Sequence, residues 1–139
     1  MVMNMETAGF IEIEHTADWE LKVWGSGLSD LFEQAALGFL TLTGMVLKSK
    51  PRLSRTIELQ NIDSESLLVD FLSELLYLSE VEEIGFDSFD IRMNGSNLEA
   101  IMFGAPIDTI TREIKAVTYH NLAIIEGVGV LEVRIVFDV

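Results

Sequence analysis

The amino-acid sequence predicts an α+β fold: a single two-layer domain with a mostly antiparallel sheet and two helices packed on one face. Three observations predict it. Two segments, Leu28 to Thr43 and Ser64 to Val81, carry apolar residues at helical spacing. Segments around them alternate apolar and polar residues, as half-buried strands do. The order is strands, helix, strand, helix and then a run of strands, which suits an antiparallel sheet with helices on one face.

Phe10 to Glu14 alternates, with Phe10, Glu12 and Glu14 on one face and Ile11 and Ile13 on the other. His15-Thr16-Ala17-Asp18 interrupts the pattern as a turn or bulge. Trp19 to Trp24 resumes it, and Gly25-Ser26-Gly27 ends it. The first helix then presents Leu28, Leu31, Phe32, Ala35, Phe39 and Leu42 as one stripe. Asp30 and Glu33 near its start favour the helix dipole, and Gly44 is placed to stop it. Thr56 to Leu59 reads as a strand. Asp63 is a natural N-cap for the second helix, whose stripe is Leu67, Leu68, Phe71, Leu72, Leu75, Leu76 and Leu78. From Phe86 the pattern is strand-like: Phe89, Ile91 and Met93 alternate with Asp90, Arg92 and Asn94. Asn94-Gly95-Ser96-Asn97 is a hairpin turn, and Leu98 to Gly104 is the return strand. Two late strands are expected near Ala116 to Ile125 and Val130 to Asp138. Pro51 and Pro106 fall at connections between elements.

The 139 residues, 49% of them apolar, are enough for one continuous core. No linker or repeat divides them, so residues 10–139 form one domain behind a short leader, residues 1–9. That leader carries no Lys or Arg and does not read as a signal peptide. No apolar run approaches the roughly 20 residues a membrane-spanning helix needs. The absence of cysteine removes disulfides, thiolate metal sites and thiol nucleophiles, and fits a cytoplasmic protein. A net charge of −14 repels a phosphate backbone, which argues against strong direct binding of nucleic acid. Lys48, Lys50, Arg52 and Arg55 form one basic group, read as a solvated loop face. The acidic surface suits a basic partner protein or a hard cation.

No dinucleotide fingerprint, P-loop or nucleophile triad is present: Gly25-Ser26-Gly27 lacks a third glycine and a following lysine. The chemically suggestive group is rich in oxygen. Asp18 lies in the turn after the first strand, and Asp138 and Val139 end the last. In that last strand Leu131, Val133, Ile135 and Phe137 share one face, and Glu132, Arg134, Val136 and Asp138 the other. If the first and last strands are neighbours, Asp18, Asp138 and a terminal carboxylate on Val139 converge. Such a set, without thiolates, favours Ca²⁺, with Mg²⁺ or Mn²⁺ as alternatives. Read from the residues alone, the ordinary roles come first: Asp138 as a solvated chain end and His15 as a partly buried turn residue.

Longer blocks strengthen one reading. Glu14-His15-Thr16-Ala17-Asp18, with Trp24-Gly25 following, resembles the N-terminal signature of the archease family. Leu67 to Leu78 resembles that family's second helix. Phe103-Gly104-Ala105-Pro106-Ile107-Asp108 and Glu113-Ile114-Lys115-Ala116-Val117-Thr118-Tyr119-His120 resemble later blocks, and Ile135-Val136-Phe137-Asp138-Val139 its terminus. Trp19-Glu20 departs from the pattern, which has small or aliphatic residues there. The resemblance implies an accessory protein, not an enzyme. Its partner is an RtcB-type RNA ligase of tRNA splicing and repair, whose guanylylation by GTP and multiple turnover it promotes. It also implies a metal site at Asp18, Asp138 and Val139 and an important lysine at Lys115. With Lys115, His15 is assigned to partner contact and activation; Glu14, Tyr119 and His120 support the tip. A small metal-dependent phosphoester hydrolase and a chaperone-like binding module are the competing expectations.

Overall fold

Apolar stripes and their stop signals form the two helices where the spacing predicts them. In the computed structural model, which describes residues 7–14 and 17–139, α1 is Leu28–Thr43 and α2 is Ser64–Val81. Leu31, Phe32, Ala35, Phe39 and Leu42 of α1 are buried, as is the whole leucine and phenylalanine stripe of α2. The Asp30 carboxylate accepts from Ser26 N at 2.9 Å and Ser26 Oγ at 3.0 Å, closing the turn into α1. Gly44 ends that helix at φ 64°, a left-handed conformation that a β-carbon disfavours. Asp63 caps α2 by accepting from Ser66 N at 2.7 Å, and this bond lowers the Asp63 pKa.

The strands are β1 (Gly9–Ile13), β2 (Trp19–Gly25), β3 (Val46–Leu47), β4 (Leu53–Gln60), β5 (Ile84–Asn94), β6 (Asn97–Thr109), β7 (Ala116–Val117), β8 (Ile125–Glu126) and β9 (Leu131–Asp138). Every pairing among them is antiparallel. They make two sheets. One has the order β1-β2-β9-β7, with β8 also on β9. In the other, β6 pairs with β3, β4 and β5. The α+β class therefore holds, with the sheet in two parts. Both helices touch strands of both sheets, and one hydrophobic cluster runs through all of them. Phe71 of α2 links the layers: its ring lies 5.9 Å from Phe32 of α1 and 6.1 Å from Phe89 of β5. Phe39 of α1 lies 6.3 Å from Phe137 of β9. No helix among the described residues is long and apolar enough to cross a membrane.

Two details depart from the sequence reading. The strand expected near Ala116 to Ile125 is two two-residue strands with a loop between them. Asn121 adopts φ 52° and Leu122 N donates to the Tyr119 carbonyl, so the chain turns where residue type favours extension. The return strand continues to Thr109 and contains Pro106 rather than stopping before it. The Pro106 carbonyl accepts from Lys48 N at 2.8 Å, so its ring nitrogen faces the same edge of β6. There the partner changes from β4, ending at Gly104, to β3, starting at Ile107. The missing N–H thus falls in a gap of the ladder. On β1, Phe10 packs on the core and Ile11 is exposed. Gly104 is required by close approach, since a β-carbon there would strike the Gly85 carbonyl beside the β5 bulge.

The leader's residues 1–6 lie outside the described residues; β1 begins at Gly9. The basic group is partly occupied by ion pairs. Arg52 donates to both Asp87 oxygens, at 2.7 and 3.1 Å, and Arg55 to Glu82 at 3.0 Å.

Candidate functional site

Alternation along β2 and β9 decides what lies on the sheet's outer face. Leu21 and Val23 of β2 and Val133, Ile135 and Phe137 of β9 point into the core. Glu20, Lys22 and Trp24, with Glu132, Arg134 and Val136, therefore point outward. Cross-strand ion pairs join this face: Lys22 to Glu132 at 3.6 Å and Arg134 to Glu20 at 3.4 Å. Asp18 and Asp138 continue the two outer rows by one position each.

The neighbour of the last strand is the second strand, not the first, which is an edge. The convergence survives that change, because the β2–β9 register ends at Trp19 opposite Phe137. One step further sets Asp18 across from Asp138. On the other side, β7 pairs Ala116 with Asp138, and Lys115 N donates to the Asp138 carbonyl at 2.8 Å. Lys115 consequently lies beside the end of β9, exposed. Asp18, Asp138, Ala116, Thr118, His120, Val136 and Phe137 line one open depression of about 270 Å³.

The depression is built on fixed backbone. Thr118 donates to the Val136 carbonyl from both N, at 3.0 Å, and Oγ1, at 2.9 Å. His120 N donates to Thr118 Oγ1 at 3.2 Å, and His120 Nε2 lies 3.3 Å from Asn121 Nδ2. Glu65 at the start of α2 accepts from Ile124 N at 3.1 Å, tying the loop back to the helix layer. Val139 packs its side chain against the core, which holds the end of the chain in place. Tyr119 is exposed, as is Glu14 just after β1. His15 and Thr16 lie outside the described residues.

Among the described residues, no group of three His, Cys, Asp or Glu side chains is arranged to hold a metal ion. Two side-chain carboxylates, Asp18 and Asp138, line the same depression. These are hard oxygen donors, and their chemistry fits a cation of the Ca²⁺ or Mg²⁺ kind rather than a thiophilic one.

Sequence reasoning did not single out Thr118 or Arg112. Thr118 was visible only as part of a longer block. Arg112 donates to both oxygens of Glu12, each at 2.9 Å, and its guanidinium sits 3.7 Å above the centre of the Trp19 ring. Neither partner is near it in sequence. Its hydrogen bonds hold the Glu12 carboxyl below the usual glutamate range. A depressed folded-state pKa means that this stabilisation is complete above the unfolded-state pKa and is lost as pH falls through the folded one. An NMR titration should find the Glu12 carboxyl titrating below an ordinary glutamate, and Arg112→Gln should return it toward that value. An unchanged midpoint in the variant would mean that the pair does not persist in solution.

Comparison with known proteins places this chain in a family. The Archease protein family (MTH1598/TM1083) matches residues 10–139. Protein archease of Thermococcus gammatolerans is 38% identical, over 80% of this chain and 84% of that protein. Protein archease of Methanosarcina barkeri is 37% identical, over 99% of this chain and 100% of its own length. Among solved structures, protein 1598 of Methanobacterium thermoautotrophicum superposes with a TM-score of 0.71 at 26% identity, covering 94% of this chain and 99% of that one. An archease from Thermotoga maritima, described as a possible chaperone, superposes with a TM-score of 0.69 at 27% identity, covering 91% and 94%. With the family match spanning both helices and every strand but the first residue of β1, this chain belongs to the archease family.

Proposed function

We propose that this chain is an accessory protein of an RtcB-type RNA ligase, promoting the ligase's guanylylation by GTP and its multiple turnover in tRNA splicing and RNA repair. In this reading the chain is not itself an enzyme. Its working part is the acidic tip, where Asp18, Asp138 and the carboxylate of Val139 hold a divalent cation, Ca²⁺ foremost. The observation that carries the reading is the lining of one depression by Asp18 and Asp138, in a chain matched to the family over residues 10–139.

The electrostatics support a protein partner. With a net charge of −14, the chain has no general attraction for RNA. A bound cation would reduce repulsion among the tip carboxylates. Lys115, exposed beside them, would then meet a nucleotide phosphate or an acidic group of the ligase. His15 joins it in partner contact, and Glu14, Tyr119 and His120 shape the surroundings.

The Thermotoga relative's description as a possible chaperone favours a second reading, a binding module that protects apolar surface. That reading requires no cation. The two separate in one experiment. Extending the chain by one or two residues past Val139 moves the terminal carboxylate and leaves Asp18 and Asp138 in place. Guanylylation of the ligase by GTP should then lose most of its stimulation. Full stimulation by the extended chain would sink the tip mechanism.

A further inference from the structure

We infer that Arg112 is the positioning residue of the tip: it clamps together the two strands that carry the Asp18 turn and ties them to the segment carrying Lys115. The inference rests on the tip reading above for its consequence, but its geometry stands alone.

The turn bearing Asp18 joins β1 to β2. Glu12 lies near the end of β1, and Trp19 begins β2. Arg112 engages both. Its two donors meet the two Glu12 oxygens at 2.9 Å each, the fork geometry that a planar guanidinium and a carboxylate share. The same guanidinium covers the Trp19 ring at 3.7 Å from the centroid. One flat cation thus contacts both legs of the turn, with its plane and hydrogen-bonding edge used by different partners.

Arg112 is itself anchored. Its N–H and that of Thr111 both donate to the Thr43 carbonyl at 3.0 Å, at the last residue of α1. Three residues onward is Lys115, whose N–H donates to the Asp138 carbonyl at 2.8 Å. The segment from Thr111 to Lys115 is therefore pinned at one end to the helix layer and at the other to β9. Through Arg112 it fixes the Asp18 turn relative to Asp138 and Lys115.

Positioning and simple charge make opposite predictions, which renders the inference testable. Arg112 is a cation in contact with both strands that flank Asp18. By Coulomb's law its removal should tighten Ca²⁺ binding. If it positions the ligands, its removal should weaken binding, as loss of groups that orient metal ligands does.

The experiment uses the full chain with Arg112→Gln, Glu12→Gln, the double variant and Arg112→Lys. Ca²⁺ alone is titrated calorimetrically, and backbone amide exchange is measured without cation. In Arg112→Gln, exchange at Asp18 and Trp19 should speed up by roughly tenfold, while Ala100 and Met102 in β6 keep their protection. The Ca²⁺ Kd should rise by roughly tenfold or more. Glu12→Gln should raise it less, because the Trp19 contact survives, and the double variant should be no worse than Arg112→Gln. Arg112→Lys keeps the charge without the fork and should recover only part of the affinity. Unchanged exchange at Asp18 and Trp19 in Arg112→Gln would overturn the inference, as would Ca²⁺ binding that is equal or tighter. If the unaltered chain binds no Ca²⁺, the tip reading fails, and the exchange measurement alone decides the role of Arg112.

Discussion

Phe137→Ala should lower the stability of this domain by about 3–5 kcal/mol, the cost of truncating a fully buried aromatic ring. Phe137 is 0% exposed, pairs with Trp19 across the sheet and packs against Phe39 of α1. No adjacent element can relax far enough to fill the space, since β9 is held by β2 on one side and β7 on the other. Urea unfolding of the two proteins checks this. A loss below about 1 kcal/mol would mean that the core closes over the gap, contrary to the packing described. The same substitution bears on the tip, because Phe137 lies next to Asp138 and lines the depression.

The second large effect is expected at the carboxylates. Asp138→Asn keeps the size of the side chain and removes its charge. If Asp138 is a ligand, the Ca²⁺ Kd should rise by more than the roughly 10–100-fold that a merely supporting group is worth. Because Asp138 is exposed, the unfolding midpoint should scarcely move. Asp18→Asn should weaken the cation comparably, since the two carboxylates line the same depression. A Ca²⁺ affinity unchanged in Asp138→Asn would remove that residue from the ligand set.

Much of this fold is legible in the order of residues, and the reason is local. The α1 and α2 stripes repeat for several turns, and Gly44 and Asp63 act within one turn of the helix ends they define. The β5–β6 hairpin follows from Gly95 at φ 63° in a two-residue turn. What escaped reading depends on partners distant in sequence. β3 is two residues long and exists because it meets β6. Pro106 is tolerated inside β6 only where one partner strand gives way to another. Trp19-Glu20, the departure from the family pattern, has its account in Arg112 over Trp19 and Arg134 beside Glu20.

Strand order and alternation grouped Asp18, Asp138 and Val139, and the resemblance added Lys115. That Asp18 and Asp138 line one depression follows from the β2–β9 pairing, which joins residues more than a hundred positions apart. Arg112 is the same case: nothing in its local sequence distinguishes it from a solvated arginine, and only the fold delivers Glu12 and Trp19 to it.

Covalent guanylate formed on an RtcB-type ligase from GTP, measured with and without this chain at limiting ligase, decides whether the chain activates the ligase. The unaltered chain should raise the rate and permit repeated turnover, and Asp18→Asn should return both to the level of the ligase alone. Equal guanylylation with and without the chain, under conditions where the ligase is active, would contradict it.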